Sequence, residues 1–265
     1  EYASIAKKLV IPMIKNDVDY VSSNLDNHCF DLWEEKDAYH FYTRVVQCKF
    51  MKEAALYFFD NPSGHFDDDE LLCMNIKFER LKELIKHHYD SFSVISAFDL
   101  HGKEKHRHDA SIMLALCHID YDEDIIDKNA YFLVDNNVFN LVCYFSEKYD
   151  NSENKLIGRY MDDKYFDGHA WILCTLGMVQ YLLHRRHKYN NFENDENNPH
   201  TEDKRDIFNN FLNPENIIKS ILDIDEKLDL AEQYDPNRKI QISAKNLTWN
   251  YSELYFALEL LKNRN

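Results

Sequence analysis

Glycine and proline are scarce in this chain, with only five of each among 265 residues. Folds built from β-strands need many tight turns, and those turns draw heavily on glycine and proline. Their scarcity therefore favours helices. The chain can still form a substantial core, because 45% of its residues are hydrophobic and its length fits one or two domains.

Positive charge is also in short supply, since 31 lysines and arginines face 47 acidic residues and leave a formal net charge of −16. A surface of that charge repels phosphate backbones, so we expect no nucleic-acid partner. No hydrophobic run approaches the roughly 20 residues that a membrane span needs. The sequence therefore predicts no membrane partner either.

The six cysteines include no CxxC pair. Zinc sites usually draw their ligands from such close pairs, so this dispersal argues against a zinc site. We predict no metal and no cofactor, and the sequence neither demands nor excludes disulfides. The cysteines are Cys29, Cys48, Cys73, Cys117, Cys143 and Cys174.

Hydrophobic residues recur with a period near 3.6, the pattern of amphipathic helices. Helices are predicted over 39–59, 69–88, 110–118, 129–149, 170–187, 214–230 and 247–262. The two clearest stripes are Phe41, Val45, Cys48 and Ala55 on one helix, and Leu72, Ile76, Leu81 and Ile85 on the next. No alternating run indicates a strand, so the sequence predicts an all-α fold.

Long polar connections separate the predicted helices, chiefly over 60–68, 95–109, 150–169 and 188–206. The last is asparagine-rich and predicts a surface insertion rather than a linker, so residues 1–265 are expected to form a single domain. Loops of this length in a compact domain are typically functional. Helices joined in series by such loops indicate an α/α toroid with an active site at one end.

The pentapeptide Asp31-Leu32-Trp33-Glu34-Glu35 combines acids with an aromatic ring. A glycosidase needs this combination, because an indole face stacks on a sugar ring, one carboxyl donates a proton and a neighbour holds hydroxyls. A carboxyl packed against an apolar group favours its neutral form, which suits a general acid. The structural alternative is a helix N-terminus, where the helix dipole favours acids.

A second motif runs from Gly158 to Asp163 and leads to Trp171. Arg159 could fork onto adjacent sugar hydroxyls while Asp163 fixes its guanidinium, and Trp171 could supply a stacking face. The structural alternative is a loop ion pair followed by a core tryptophan.

The third motif contains Glu232 and, further along, Trp249. Glu232 follows the predicted helix 214–230 and enters a loop, where a carboxylate can face solvent and activate water. The structural alternative is one more surface acid among 47.

Taken together and in this order, the three motifs resemble the glucoamylases of glycoside hydrolase family 15. The resemblance extends from about residue 9 to residue 260, with divergent loops between the motifs. It implies an (α/α)6 toroid, or barrel, that is incomplete at its N-terminal helices. The runs that carry it are LVIPMIKNDVDYVSSNLDNHCFDLWEEKDAYHFYTRVVQ, GRYMDDKYFDGHAWILCTLGMVQYLL and AEQYDPNRKIQISAKNLTWNYSELYFAL.

The resemblance also implies roles for individual residues. Glu34 matches the general acid that protonates the glycosidic oxygen, and Glu232 matches the general base that activates water. The positions that match substrate-binding residues are Leu32 (through its backbone carbonyl), Trp33, Glu35, Arg159, Asp163, Trp171 and Trp249. All three tryptophans of the chain therefore fall within the resembling motifs.

The activity implied is exo-acting hydrolysis that releases β-D-glucose from the non-reducing ends of α-1,4-glucans such as starch, glycogen and dextrins. Inversion requires room for a water, so the carboxyls of Glu34 and Glu232 should stand roughly 6.5–9.5 Å apart. The partner expected is an α-glucan or malto-oligosaccharide, and the complete protein is expected to be a monomer. We expect no starch-binding domain, and the resemblance implies a secreted or vacuolar protein.

Two other functions stay open. The chain could be a truncated or degenerate relative that binds carbohydrate through Trp33, Arg159 and Trp249 without turning it over. It could also be a helical scaffold or interaction protein in which the three motifs coincide by accident. The presence of both Glu34 and Glu232 favours the enzyme.

Overall fold

The computed structural model describes residues 5–60, 66–149, 155–191 and 212–262. Within these ranges the chain forms eight α-helices. They are α1 (Ile11–Asn24), α2 (Phe41–Asp60), α3 (Asp68–Lys86), α4 (Ser111–His118), α5 (Tyr131–Lys148), α6 (Ile172–Asn191), α7 (Pro214–Leu222) and α8 (Thr248–Lys262). A π-helical segment, Ala6–Val10, precedes α1, and 3₁₀ segments cover Lys128–Ala130 and Tyr165–Gly168. No described helix is both long enough and apolar enough to cross a membrane.

Seven short strands form two small antiparallel sheets in the described residues. They are β1 (Cys29–Phe30), β2 (Asp37–His40), β3 (Ala97–Phe98), β4 (Glu104–His106), β5 (Ala170–Trp171), β6 (Gln233–Asp235) and β7 (Ile240–Ile242). The strand orders are β1-β2-β3-β4 and β5-β6-β7. The expectation of no strands was wrong, because runs of two to four residues are too short to show an alternating pattern.

The chain divides into two compact units. The first comprises Glu1–Arg107 and His118–Tyr131, and the second comprises His108–Cys117 and Phe132–Asn265. The first unit contains helices α1–α3 and the β1–β4 sheet. The second contains the β5–β7 sheet and helices α4–α8, apart from one end residue of α4 and one of α5.

The core of the first unit forms where α2 packs on α3. Phe41, Val45 and Cys48 of the predicted stripe are fully buried, as are Leu81 and Ile85 of α3 to within 1%. Each such side chain contributes about 1.5–3 kcal/mol by leaving water. This packing fixes the start of α2, and with it the strand β2 that leads into α2.

The other half of the α3 stripe was predicted wrongly, because Leu72 and Ile76 are each 58% exposed. Leu72 and Leu81 are nine residues apart, as are Ile76 and Ile85, and nine residues make about two and a half turns. Leu72 and Ile76 therefore lie on the face of the helix opposite to Leu81 and Ile85. Only the face with Leu81 and Ile85 enters the core.

The N-terminus of α3 is capped by acidic side chains. The Asp67 carboxylate accepts from the Glu70 backbone N–H, and the Glu70 carboxylate accepts from the Asp67 backbone N–H, both at 2.9 Å. This reciprocal capping box satisfies two donors that the first turn leaves unpaired.

The second unit is built around α6, whose residues from Ile172 to Leu183 are buried. Helix α4 approaches it closely at Gly177, where an added Cβ would lie 2.5 Å from Leu114 Cδ2. Nearer the C-terminus of α6, Arg185 makes a buried side-on ion pair with Asp135 on α5.

Most of the predicted helices are present, with ends shifted by no more than four residues. The exception is the prediction 214–230, because α7 ends at Leu222 and turns and irregular chain follow. Helix α1 was not predicted. Of the predicted insertion 188–206, α6 covers the part up to Asn191, and the remainder lies outside the described residues.

Candidate active site

The acid-aromatic pentapeptide lies in a hairpin loop of the first unit, between β1 and β2. The loop is closed by the pairs Cys29–Ala38 and Phe30–Asp37, and the next helix begins only at Phe41. The structural alternative for this motif, a helix N-terminus, is therefore wrong.

Asp31 organises this loop. Its Oδ1 accepts the backbone N–H of Trp33 at 3.1 Å and that of Glu35 at 2.8 Å. Its own backbone closes the loop, since Asp31 N donates to Lys36 O and Asp31 O accepts from Glu34 N. One carboxylate thereby fixes both backbone neighbours of Glu34.

Glu34 is exposed and has a φ of 60°, in the left-handed region that a residue with a Cβ enters only at a cost. Such strain persists when the surrounding contacts hold it, and it is common at functional sites. Beside it, Trp33 is 9% exposed, so the indole anchors the loop. Glu35 is exposed and Leu32 is half-buried.

In the second unit, Arg159 and Asp163 form a buried bidentate ion pair. Arg159 Nε and Nη2 each donate to an Asp163 carboxylate oxygen at 2.8 Å, and the two residues are 2% and 3% exposed. The Arg159 carbonyl accepts from Ala110 N at 2.6 Å, which ties the segment to the start of α4. The ion pair between Arg159 and Asp163 is consistent with the substrate-binding role and also with the structural alternative, a loop ion pair.

Aromatic rings surround the Arg159 guanidinium. Its Cζ lies 4.8 Å from the Trp171 ring centroid, 5.1 Å from that of Tyr165 and 5.2 Å from that of Tyr160. A guanidinium is weakly hydrated and stacks on aromatic faces. Trp171 is 6% exposed, and Tyr165, at 41%, is the most open of the three rings.

The turn that follows Asp163 is strained and clamped. Phe166 and Asp167 have positive φ, and so does Gly168, where a Cβ would lie 2.3 Å from the Asp163 carbonyl oxygen. From α5, Lys148 Nζ donates to Asp167 O at 2.8 Å and to Gly168 O at 2.7 Å. Burial lowers the pKa of Lys148, and these carbonyls are the acceptors it finds.

Glu232 lies directly before β6. The helix α7 already ends at Leu222, so Glu232 does not follow a helix directly, which corrects the local context predicted from the sequence. Its backbone is held on both sides, because Glu232 N donates to Ala244 O at 2.8 Å and Glu232 O accepts from Ile172 N at 3.3 Å. The Ser243 hydroxyl donates to Glu232 Oε2 in a short hydrogen bond. Glu232 as a whole is half-buried.

Several buried polar side-chain atoms of the second unit have no hydrogen-bond partner among the described residues. Both amide atoms of Gln233 are in this state, together with His169 Nδ1 and Asn250 Oδ1. Gln233 follows Glu232 directly, and Asn250 Nδ2 donates to Ala231 O at 2.8 Å. Ordered water is the usual partner of such atoms in folded proteins.

Trp249 lies in the first turn of α8. Its indole Nε1 donates to Glu253 Oε1 at 2.8 Å, and the other carboxylate oxygen accepts from Gln180 Nε2 at 2.6 Å. Glu253 is 4% exposed, so the orientation of the indole is fixed from the protein side.

Three residues with structural roles in these motifs were not among the sequence candidates. Asp31 stood in the first motif, and an acid two residues before the tryptophan was a signal for its loop-closing bonds. Ser243 gave no signal, because its contact with Glu232 depends on the β6–β7 hairpin. Glu253 lies four residues after Trp249 on one helix, a spacing at which side chains meet.

The candidate residues are divided between the units. Leu32, Trp33, Glu34 and Glu35 belong to the first unit, while Arg159, Asp163, Trp171, Glu232 and Trp249 belong to the second. In the second unit the structure brings Arg159, Asp163 and Trp171 into direct contact, and the Glu232 backbone bonds to the residue after Trp171. The separation of Glu34 from Glu232 stays a prediction.

A family model described as "Glycosyl hydrolases family 15" matches residues 2–257. The glucoamylase of Blastobotrys adeninivorans is 30% identical over 188 residues, which cover 64% of this chain and 29% of that protein. Glucoamylase-1 of Arthroderma benhamiae is 24% identical over 202 residues, covering 72% of this chain and 31% of that protein. The chain thus spans less than a third of the length of these relatives.

Solved structures give the same result for the fold. The glucoamylase of Saccharomycopsis fibuligera superposes with a TM-score of 0.75 at 20% identity, over 98% of this chain and 62% of that one. A family 15 glucoamylase of Hypocrea jecorina gives a TM-score of 0.77 at 20% identity, over 99% of this chain and 48% of that one. This likeness confirms the fold class, that of the helical (α/α)6 proteins.

Proposed function

This chain belongs to glycosyl hydrolase family 15, and we propose that it takes part in the hydrolysis of α-1,4-glucans. The reaction proposed is the release of β-D-glucose from non-reducing chain ends, with inversion at the anomeric carbon. The observation that carries the proposal is the presence of both carboxylates that the reaction needs, Glu34 and Glu232, each on a backbone held by specific hydrogen bonds. The family resemblance also implies secretion or a vacuolar location.

Glu34 is proposed as the general acid. Its carboxyl extends from a short strained loop, and the neighbouring indole of Trp33 is packed into the protein. The Asp31 bonds on either side limit the backbone motion that would move the carboxyl away from the glycosidic oxygen. A group held in this way reaches the transition state with little further loss of freedom.

Glu232 is proposed as the general base. One of its oxygens accepts a hydrogen bond from Ser243. The second oxygen is proposed to accept the proton of the attacking water. Inversion requires this water to attack from the face opposite the acid.

The remaining candidates are proposed to bind the sugar. Arg159 is already oriented by Asp163, and a guanidinium fixed in this way can donate to a sugar hydroxyl. Trp249 is proposed to offer an aromatic face to a sugar ring, and Trp171 to support Arg159, whose guanidinium lies against its ring. Glu35, Trp33 and the Leu32 carbonyl are also proposed to bind sugar.

The proposal is tested by glucose release from maltotriose with three variants of the chain. Glu34→Gln and Glu232→Gln each remove a proton-transferring group at nearly constant volume, and we expect kcat to fall by about 10²–10⁴ in each. Glu83→Gln, at an exposed glutamate of α3, is the matched control and should retain full activity.

The outcomes separate the candidate functions. Loss of activity in both carboxylate variants, with the control unchanged, supports the hydrolase. Binding of maltotriose by the unsubstituted chain without any glucose release would instead support the non-catalytic carbohydrate-binding relative. If the chain neither binds maltotriose nor releases glucose from it, both proposed functions are contradicted.

A further inference from the structure

Arg44, in the first turn of α2, is a buried cation with neutral partners. It is 8% exposed, and its Nη1 donates to Leu84 O at 3.2 Å and to His88 Nε2 at 2.9 Å. His88 Nδ1 lies 2.6 Å from Ile95 O, so the ring proton is on Nδ1 and Nε2 is the acceptor. Burial lowers the pKa of Arg44, as expected for a charge withdrawn from water.

The opposite edge of the same guanidinium is unused. Among the described residues, Arg44 Nε and Nη2 make no hydrogen bond, and no carboxylate lies within ion-pair distance of them. Taking a cation out of water costs several kcal/mol unless an anion compensates it. A ligand is the obvious compensation.

The other two buried arginines show what this edge binds. Arg159 uses Nε and Nη2 to pair side-on with Asp163, at 2.8 Å for both bonds. Arg185 uses the same two atoms on Asp135, at 3.0 and 2.7 Å. In this chain a buried Nε–Nη2 edge is therefore matched to a carboxylate, and Arg44 is the case without one among the described residues.

Arg44 lines a cavity of about 310 Å³ within the first unit. Polar side chains that can donate hydrogen bonds also line it, among them Asn27, Thr43 and Gln47. The Tyr39 ring lies 5.1 Å from Arg44 Cζ and also lines the cavity, so it would close one side of a ligand. The volume is at the lower end of the range for small-molecule sites.

Nearby acids are already engaged. Asp26 pairs with Arg80 at 2.9 Å, and Asp37 lies 2.7 Å from His28 Nδ1. Neither is free to turn towards Arg44 without breaking its own contact. The charge of Arg44 is therefore available to a ligand in spite of the acidic composition of the chain.

We propose that this cavity binds a small carboxylate anion, held side-on by Arg44 Nε and Nη2. Two parallel N–H donors fit the two coplanar oxygens of a carboxylate. The cavity's amide and hydroxyl donors would then serve further oxygens of a hydroxycarboxylate. The proposal is independent of the proposed hydrolysis, because it uses none of the residues assigned to that reaction.

The test is a titration of the full chain, labelled with ¹⁵N-arginine, with sodium acetate at constant ionic strength. Arginine Nε–Hε signals are followed by NMR, and the Arg44 signal is assigned by its contact with the Tyr39 ring and by its loss in Arg44→Lys. We expect that signal to shift saturably. The signals of Arg159 and Arg185, which are already paired, should stay in place.

A second readout uses the rise in the unfolding midpoint that a ligand of the folded state produces. Arg44→Lys keeps the charge but loses the two-donor edge, and we expect it to weaken acetate binding at least about tenfold. Arg80→Met removes a half-exposed neighbouring charge and should change acetate affinity less than about threefold.

Three results would overturn the proposal. An Arg44 signal that does not shift saturably up to roughly 100 mM acetate would mean that the edge is closed or already paired with a carboxylate of the protein. Equal shifts at Arg159 and Arg185 would mean unspecific binding. Tighter binding of inorganic phosphate than of acetate would assign the cavity to tetrahedral oxyanions instead.

Discussion

Glu34 adopts a backbone conformation in which glycine and asparagine are more usual, with a φ of 60°. The Asp31 carboxylate bonds to the backbone on both sides of it, so the cost of the left-handed conformation is met by two hydrogen bonds that an extended loop would lose. We infer that the loop orients the Glu34 carboxyl.

Replacing Asp31 tests this positioning role. Asp31→Ala removes the acceptor of both hydrogen bonds, and we expect kcat on maltotriose to fall by about tenfold or more, because small displacements of a catalytic group are costly. Asp31→Asn keeps an oxygen at the Oδ1 position and should stay within about threefold of the original. Equal activity in both variants, with unchanged circular dichroism, would contradict the role assigned to Asp31.

His88 couples the stability of the first unit to pH. Burial, and secondly the adjacent Arg44 charge, lower the pKa of His88 from the usual 6.5 to about 3. The unfolded chain takes up this proton at the ordinary pKa, so it binds more protons than the folded chain does. The free energy of unfolding should therefore fall as the pH drops below about 6.5 and continue to fall towards pH 3.

The measurement is urea unfolding of the unsubstituted chain and of His88→Gln at pH 6.5 and pH 5. We expect the unsubstituted chain to lose about 2 kcal/mol more than the variant over this interval, since one proton is worth about 1.4 kcal/mol per pH unit. The same loss in both proteins would show that His88 is not the group responsible.

Some contacts of the site residues could be predicted from the sequence, and others could not. Asp163 could be paired with Arg159 because the two are close in sequence and of opposite charge, and their bidentate contact is present. Ser243 could not be found, because its hydroxyl reaches Glu232 only after the β6–β7 hairpin has formed. Arg44 also escaped notice, since an isolated arginine in a helical stripe gives no sign that it is buried.

At the scale of elements, long amphipathic helices were predictable and short strands were not. The stripe of Phe41, Val45 and Cys48 follows the helical period and is buried as expected. β5 and β6 have only two and three residues, and their pairing joins segments that are distant in the chain. Short strands nevertheless define both sites, because β1 and β2 close the loop that carries Glu34 and Glu232 directly precedes β6.

The turn after Asp163 is the element in which a single methyl group should matter most. In Gly168→Ala the new Cβ would meet the Asp163 carbonyl at 2.3 Å, whereas in Gly102→Ala, also at positive φ, it would meet nothing within 4 Å. We expect Gly102→Ala to lose about 1 kcal/mol from the backbone alone, and Gly168→Ala to lose several times more.

Denaturant unfolding of the two glycine variants makes that comparison directly. In Gly168→Ala we also expect a raised KM for maltotriose, because displacement of Asp163 releases the Arg159 guanidinium. Equal destabilisation of the two variants would mean that the turn relaxes and does not hold Asp163.

At the scale of the whole molecule, the two proposed catalytic carboxylates are divided, with Glu34 in the first unit and Glu232 in the second. The family match extends over residues 2–257 and therefore includes both. The fold class could be predicted from the helical period together with the scarcity of glycine and proline. The distance between the two carboxylates could not, because it depends on tertiary structure that no local pattern encodes.

The central claim, inverting hydrolysis by Glu34 and Glu232, is tested most directly by the anomeric form of the first glucose released from maltotriose. Proton NMR resolves the two anomers before they interconvert. The account predicts β-glucose as the initial product, because a carboxyl separation of roughly 6.5–9.5 Å admits a water on the opposite face of the sugar. Initial α-glucose would mean retention, and it would contradict the roles given to both residues.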